Sequence, residues 1–204
     1  MSSFVGAGFD FGNKNIVIGA PKGGAIDVIL NEASNRLTPT IVSYTSSRRY
    51  FGVHAQSNQL QNINDTIFDL KKLVCLKYDD PEREYISSIV PFKLASLPDG
   101  FTGIQVKYSD NEEKIIRPEQ CIAYLIKSMM PLIQKFNQHI NSIVISVSPW
   151  WDEIHRRAIL DACRIASVDC IGLINSTAAA ALAYCINHRQ KLPADNQPPA
   201  NVVF

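Results

Sequence analysis

Apolar residues near the N-terminus fall into three short runs, 4–9, 15–20 and 25–30, broken by Asp10 to Lys14 and by Pro21 to Gly24. Short β-prone runs with turn residues between them predict an antiparallel three-stranded meander. TIVSY (40–44) predicts a fourth strand, and YFGVHA (50–55) contains a short one. In NDTIFDLKKLVCL (64–76), Ile67, Leu70, Leu73 and Val74 recur at helical spacing behind a capping Asn64 or Asp65, which predicts a helix.

The pattern changes from Asp80 to Lys114, where SIVPFKLA, GIQVKYS and EKIIR predict short strands separated by Pro, Gly and Asp-Asn turns. This stretch reads as a small β-rich appendage inserted in a larger unit. RPEQCIAYLIKSMMPLIQKF (117–136) then predicts a helix with Pro118 in its first turn, where a missing N–H costs nothing, and Glu119 beside its positive end. Ile122, Leu125, Ile126, Met129, Ile133 and Phe136 form its apolar stripe, and a kink is expected at Pro131. The methionines read as core. SIVISVS (142–148) is the β-branched run of a strand buried on both faces, followed by a helix from Asp152 to about Ser167, a strand at 169–174 and a helix from Ser176 to about Asn187. A meander followed by strand, helix, strand, helix is the order of a ribonuclease-H-like α/β unit, and crossover handedness places both helices against the sheet. HRQKLPADNQPPA (188–200) is a polar, proline-rich loop, and NVVF opens another strand in which the chain stops, as if cut at an internal boundary.

Composition narrows the function classes. A chain of 204 residues, 46% of them hydrophobic, can bury a substantial core, while a formal net charge of +1 offers no basic field for a phosphate backbone. Nucleic acid is therefore not an expected partner. No apolar run is long enough to span a bilayer. Cys75, Cys121, Cys163, Cys170 and Cys185 form no CxxC pair, and no charged region followed by a long apolar core opens the chain. The expectation is a cytoplasmic protein with reduced thiols. Cys163 and Cys170 with His155 or His188 fit no zinc spacing and read as small packing groups.

Two places carry candidate chemistry. Asp10-Phe11-Gly12 followed by Asn13, Lys14 and Asn15 is, on its own residues, either a plain hairpin turn or a cradle in which successive N–H groups face a phosphate. The pair Lys71-Lys72 is, on its own, an ordinary solvated helix face.

Taken in order, GFDFGNKN, NEASNRLTPTIVSY, TIFDLKKLVCLKYDD and AILDACRIASVDCIGLINSTAAAALAY resemble the nucleotide-binding domain of the 70-kDa heat-shock chaperones, which has the actin-like ATPase fold. The resemblance covers essentially the whole chain and keeps its spacing. VSPWWDEIHR, NEASNR and the LPADNQPPANVVF loop are more similar to the larger 110-kDa branch than to the main one.

The resemblance implies the first of two lobes, with core segments 1–38 and 115–204 around an inserted subdomain at about 39–114. The second phosphate motif would begin just after Phe204, and the adenosine pocket and the peptide-binding domain that handles unfolded polypeptides would lie outside the chain. It further implies ATP or ADP with Mg²⁺ as ligands, a cradle of Asp10, Gly12, Asn13, Lys14 and Asn15, Asp10 holding Mg²⁺ through water, and Lys71 as the inward-facing catalytic lysine. Lys72 is then the solvated one. Active members have two threonines after the glycine, where this chain has Asn13 and Lys14; the Lys14 ammonium would replace a monovalent cation beside the β- and γ-phosphates. They also carry Asn-Glu-Pro-Thr where this chain reads Asn175-Ser176-Thr177-Ala178, so a hydroxyl stands at the place of a carboxylate and little hydrolysis is expected. A 110-kDa-type co-chaperone, acting as nucleotide exchange factor for a 70-kDa partner, is the favoured reading. An ordinary 70-kDa-type ATPase and a small-molecule kinase of the same fold are its rivals. The tryptophans, Trp150 and Trp151, belong either to a partner surface or to the core at a strand end.

Overall fold

A computed structural model describes residues 6–193 together with 198 and 202. Of the strand expected at 201–204 only Val202 is among these residues, and Phe4 and Val5 of the first expected run lie outside them.

The central sheet is built from β1 (Gly6–Phe11), β2 (Asn15–Lys22) and β3 (Ala25–Val28), joined antiparallel as the apolar runs predict. A two-residue strand, β4 (Thr38–Pro39), pairs with the start of β2. The chain then leaves this sheet. β5 (Val42–Tyr44), β6 (Arg49–Phe51) and β7 (Thr66–Ile67) make a small antiparallel sheet in the order β6-β5-β7. β6 ends at Phe51, and Gly52, with a φ of +55°, starts the short helix α1 (Gly52–Ser57), so only Tyr50 and Phe51 of YFGVHA are strand.

The helix expected over 64–76 is a composite. A 3₁₀ turn (Ile63–Asp65), β7 and α2 (Leu70–Leu73) replace it, because Asp69 takes a left-handed conformation that a helix interior does not allow. Ile67, Leu70, Leu73 and Val74 are nonetheless all buried. The periodicity marked an inward face and mistook its backbone.

A second difference follows at α3 (Pro81–Ile89), where strand had been expected. Asp80 caps this helix by accepting from the Glu82 N–H, Pro81 opens it, and Glu82 and Glu84 lie at its positive end. β8 (Lys93–Ser96), β9 (Thr102–Ser109) and β10 (Glu112–Ile116) then form a third sheet in the order β10-β9-β8.

α4 (Pro118–Phe136) is one helix that continues through Pro131, capped where the Arg117 N–H donates to the Gln120 side chain. β11 (Ser142–Val147), α5 (Glu153–Ala166), β12 (Asp169–Asn175) and α6 (Ser176–Asn187) return the chain to the central sheet, whose order is β12-β11-β1-β2-β3. β1, β11 and β12 run parallel. This is the ribonuclease-H-like order of the actin-like fold.

Alternation in β1 decides which side of the sheet does what. Ala7, Phe9 and Phe11 are buried, joined by Ile143, Ile145, Ile16 and Ile18, in one core with Ile122, Leu125, Ile126 and Met129 of α4 and Ile159 of α5. Gly8 and Asp10 point the other way and are exposed. Both closing helices were expected to pack on the sheet, but only α5 does so firmly: none of the residues of α6 is buried. Among the described residues, no helix is long and apolar enough to cross a membrane.

Candidate functional site

The bend between β1 and β2 is tight. The Gly12 N–H donates to the carbonyls of Asp10 and Asn15, both at 3.1 Å, and a Cβ on Gly12 would run into the Asn15 carbonyl oxygen. Thr40 ties the bend from outside, its hydroxyl donating to the Gly12 carbonyl at 2.9 Å and its N–H to the Lys14 carbonyl at 2.9 Å. Gly12→Ala is therefore expected to lower unfolding free energy by about 1–3 kcal/mol, the usual cost of forcing an extra carbon into packed structure. An unchanged denaturation midpoint would contradict the observed turn geometry.

Asp10 extends from β1 onto the exposed face of the sheet and accepts a hydrogen bond from the Ser146 hydroxyl at 2.7 Å. Ser146 Oγ in turn accepts from the Phe11 N–H at 3.1 Å, so one β11 side chain fixes both the carboxylate and the backbone leading into the bend. Sequence reasoning missed Ser146. The available signal was its place in SIVISVS, where it sits among β-branched neighbours.

Lys71 lies on α2, half-buried, and its ammonium donates to the Phe11 carbonyl at 2.8 Å. The same nitrogen lies 5.3 Å from the Trp151 ring centroid and 5.8 Å from that of Phe11. Burial pulls its pKa below the ordinary lysine value, and the Asp10 charge opposes that fall. Lys71 and Asp10 are thus electrostatic neighbours across the end of β1. Lys72 points outward and pairs with Asp69 at 2.9 Å.

Asn13 bridges the bend to α2, its side-chain amide donating to Asp69 at 2.8 Å. The left-handed Asp69 that broke the expected helix is therefore also the residue that holds the bend. The Asn13 side-chain oxygen is buried with no hydrogen-bond partner. Lys14 and Asn15 have exposed side chains, and Asn15 begins β2.

Two concavities flank this junction. One of about 400 Å³ is lined by Asp10, Ser146, Ser176 and the first turn of α6 at Ala179 and Ala180. The other, of about 810 Å³, is lined by Asn13, Lys71, Ser148, Trp150, Trp151 and His155. Lys14 lines neither. The tryptophans divide: Trp151 is buried and stacks on His155, while Trp150 is 80% exposed. Arg156 joins the two sides, donating to the Trp151 carbonyl at 3.1 Å and to the Asn175 side chain at 2.7 Å, immediately before Ser176.

These groups fit a hydrated Mg²⁺ with phosphate better than a metal held by protein alone. Asp10, Ser146 and Ser176, which share one concavity, are hard oxygen donors suited to a cation that keeps its water. Among the described residues, no cluster of three or more His, Cys, Asp or Glu is placed to form a metal cage.

Comparison with known proteins agrees with the fold. Residues 6–204 match the family described as Hsp70 protein. The chain is 34% identical over 198 residues to the 97 kDa heat shock protein of Strongylocentrotus purpuratus, covering 97% of this chain and 22% of that protein. It is 38% identical over 204 residues to heat shock protein 88 of Dictyostelium discoideum, covering 99% and 26%. To heat shock protein 110 of Caenorhabditis elegans it is 34% identical over 200 residues, covering 97% and 26%. The chain spans about a quarter of the length of these relatives, which stand on the 110-kDa side that VSPWWDEIHR and NEASNR resemble. The chain belongs to the Hsp70 family, a family of nucleotide-binding proteins.

Proposed function

We propose that this chain is the first lobe of the nucleotide-binding domain of a 110-kDa-type heat-shock co-chaperone, in which Mg-ATP serves chiefly as a conformational ligand. The whole protein would act as nucleotide exchange factor and holdase for 70-kDa chaperones in the cytoplasm, with unfolded polypeptides bound by a further domain. The boundaries of this reading are a core of 1–38 and 115–204 and an inserted unit at about 39–114. They are supported by the chain leaving the central sheet after β4 and returning through α4 and β11.

The observation that carries the proposal is that Asp10 shares its concavity with Ser176, a hydroxyl. Asp10 would hold the metal's water shell, Gly12 and Asn13 would face phosphate or metal-bound water, and Lys71 would neutralise charge at the terminal phosphate. Ser176 cannot take a proton from water as a carboxylate can, so the ligand would persist and select the conformation that binds a partner. Lys14, exposed and lining neither concavity, would have to turn in from solvent to take the place of a monovalent cation beside the phosphates.

Calorimetric titration of Mg-ATP into the 204-residue chain and into one extended through the second lobe tests this. Saturable binding in the extended chain, with little phosphate release, is the expected result. Release stimulated by peptide or a J-domain protein would favour a 70-kDa-type ATPase, phosphate transfer to a sugar or glycerol would favour a kinase, and absence of binding in both chains would overturn the nucleotide site.

A further inference from the structure

A cleft of about 450 Å³ opens where the β5–β6 hairpin, the β9–β10 hairpin, α4 and the end of α5 meet. None of the residues lining it borders either concavity beside Asp10 or Lys71. Its volume is in the range of small-molecule sites.

Three cations from three separate elements line this cleft: Arg49 of β6, Lys114 of β10 and Lys127 of α4. No aspartate or glutamate lines it. Lys114 pairs with Glu112 at 3.2 Å, outside the lining, but among the described residues neither Arg49 nor Lys127 has an ion-pair partner or a side-chain hydrogen bond to protein. The cleft therefore holds more positive charge than its surroundings neutralise.

Arg49 is positioned although it is unpaired. Thr45 and Arg48 close the β5–β6 turn, the Thr45 N–H and hydroxyl both donating to the Arg48 carbonyl, and the resulting register sets Arg49 opposite Tyr44. Its guanidinium carbon lies 5.4 Å from the Tyr44 ring centroid and 5.0 Å from that of Tyr108. The Tyr124 hydroxyl of α4 donates to the Arg49 carbonyl at 2.8 Å and ties β6 to the helix. The Lys114 ammonium lies 3.7 Å from the Tyr108 centroid, so one ring collects two cations. Those like charges repel, and an anion seated beside them offsets the repulsion. Buried Ile116 and Ala123 and exposed Ile115 and Ile165 give the same cleft an apolar wall.

We propose that this cleft binds a small phosphomonoester, a dianionic phosphate on a compact ring or apolar body. The phosphate presents three terminal oxygens to one planar guanidinium fork and two ammonium groups. A monocarboxylate brings a single charge and two oxygens, and leaves a cation unmet. The body of the ligand packs on the isoleucines and Ala123. Because the cleft shares no residue with the nucleotide junction, this site stands or falls separately from the nucleotide reading.

Phenyl phosphate is the probe, titrated calorimetrically into the 204-residue chain at low ionic strength, with inorganic phosphate and phenol as its separate halves. Saturable binding of phenyl phosphate, weaker binding of inorganic phosphate and none of phenol is the expected result. Arg49→Gln should weaken phenyl phosphate by about tenfold or more, the loss of a charge-assisted hydrogen bond, and Lys127→Gln, at an exposed helix position, should weaken it as well. With tyrosine and tryptophan isotopically labelled, the ligand should shift the signals of Tyr108 and Tyr124 and leave those of Trp150 and Trp151, which line the junction's larger concavity, unmoved. The proposal is overturned if millimolar phenyl phosphate shows no saturable binding, or if the tryptophan signals move while those of Tyr108 and Tyr124 do not. Unchanged affinity in both variants overturns it too. Inorganic phosphate binding as tightly as phenyl phosphate would mean that the cleft takes the free ion, and phenol binding as tightly would mean that the cations play no part; either result overturns the phosphomonoester.

Discussion

In a chain extended through the second lobe, Ser176→Glu is expected to raise the rate of ATP hydrolysis by about 10²–10⁴-fold, the range a positioned acid–base group supplies. Ser176 opens α6 and is only partly buried, so a longer side chain has room in the concavity it shares with Asp10. A negative charge there also meets the positive end of the helix, which favours folding slightly rather than opposing it. The carboxylate would add a proton acceptor to a junction that already holds Asp10 and Lys71. Single-turnover phosphate release is the measurement, with Ser176→Gln as the comparison of similar size that cannot accept the proton. If glutamate and glutamine give the same slow rate while both chains bind Mg-ATP, the hydroxyl at 176 is not what limits hydrolysis.

The largest expected effect on stability belongs to the neighbour that points the other way. Phe9→Ala is expected to lower unfolding free energy by about 3–5 kcal/mol. Phe9 is 2% exposed in the middle of the central strand, between Ile145 on β11 and Ile18 on β2, and its removal would leave a cavity that β-branched neighbours cannot collapse to fill. Asp10→Ala, one residue later, removes a group on the exposed face and should cost far less. Chemical denaturation of the 204-residue chain, followed through the buried Trp151, compares the two. Equal losses at positions 9 and 10 would contradict the assignment of faces.

What could be read from the sequence was mostly what alternation and periodicity encode. β1, β2, β11, α4 and α5 follow because their inward residues repeat at the spacing of their own backbone, and the ordered resemblance of GFDFGNKN and TIFDLKKLVCLKYDD brought Asp10 and Lys71 into one expectation. The failures lie where backbone conformation changes without a change in hydrophobic pattern. A left-handed Asp69 cannot be inferred from apolar spacing, because Ile67 and Leu70 are buried equally well on either side of it. α3 was missed although Asp80-Pro81-Glu82 is a good helix start; the proline was weighed as a breaker when it stood in the first turn, where a missing N–H costs nothing. Ser146 and Arg156 escaped for another reason. Their partners, Asp10 and Asn175, are fixed by strand register and helix packing, which no local window contains.

The contacts that tie the β1–β2 bend to the rest of the lobe join residues far apart along the chain: 56 positions separate Asn13 from Asp69, 60 separate Phe11 from Lys71, and 136 separate Asp10 from Ser146. Each therefore waits for a long loop to close, and none can form within a single nascent element. In kinetic terms the turn itself belongs to the meander, while its ties to Asp69, Lys71 and Ser146 wait until the elements that carry them have found their places. Substitutions that loosen those ties act on how quickly the native state opens more than on how quickly it is reached. A bound nucleotide that spans the bend and α2 would accordingly lengthen the lifetime of the folded lobe by slowing its escape.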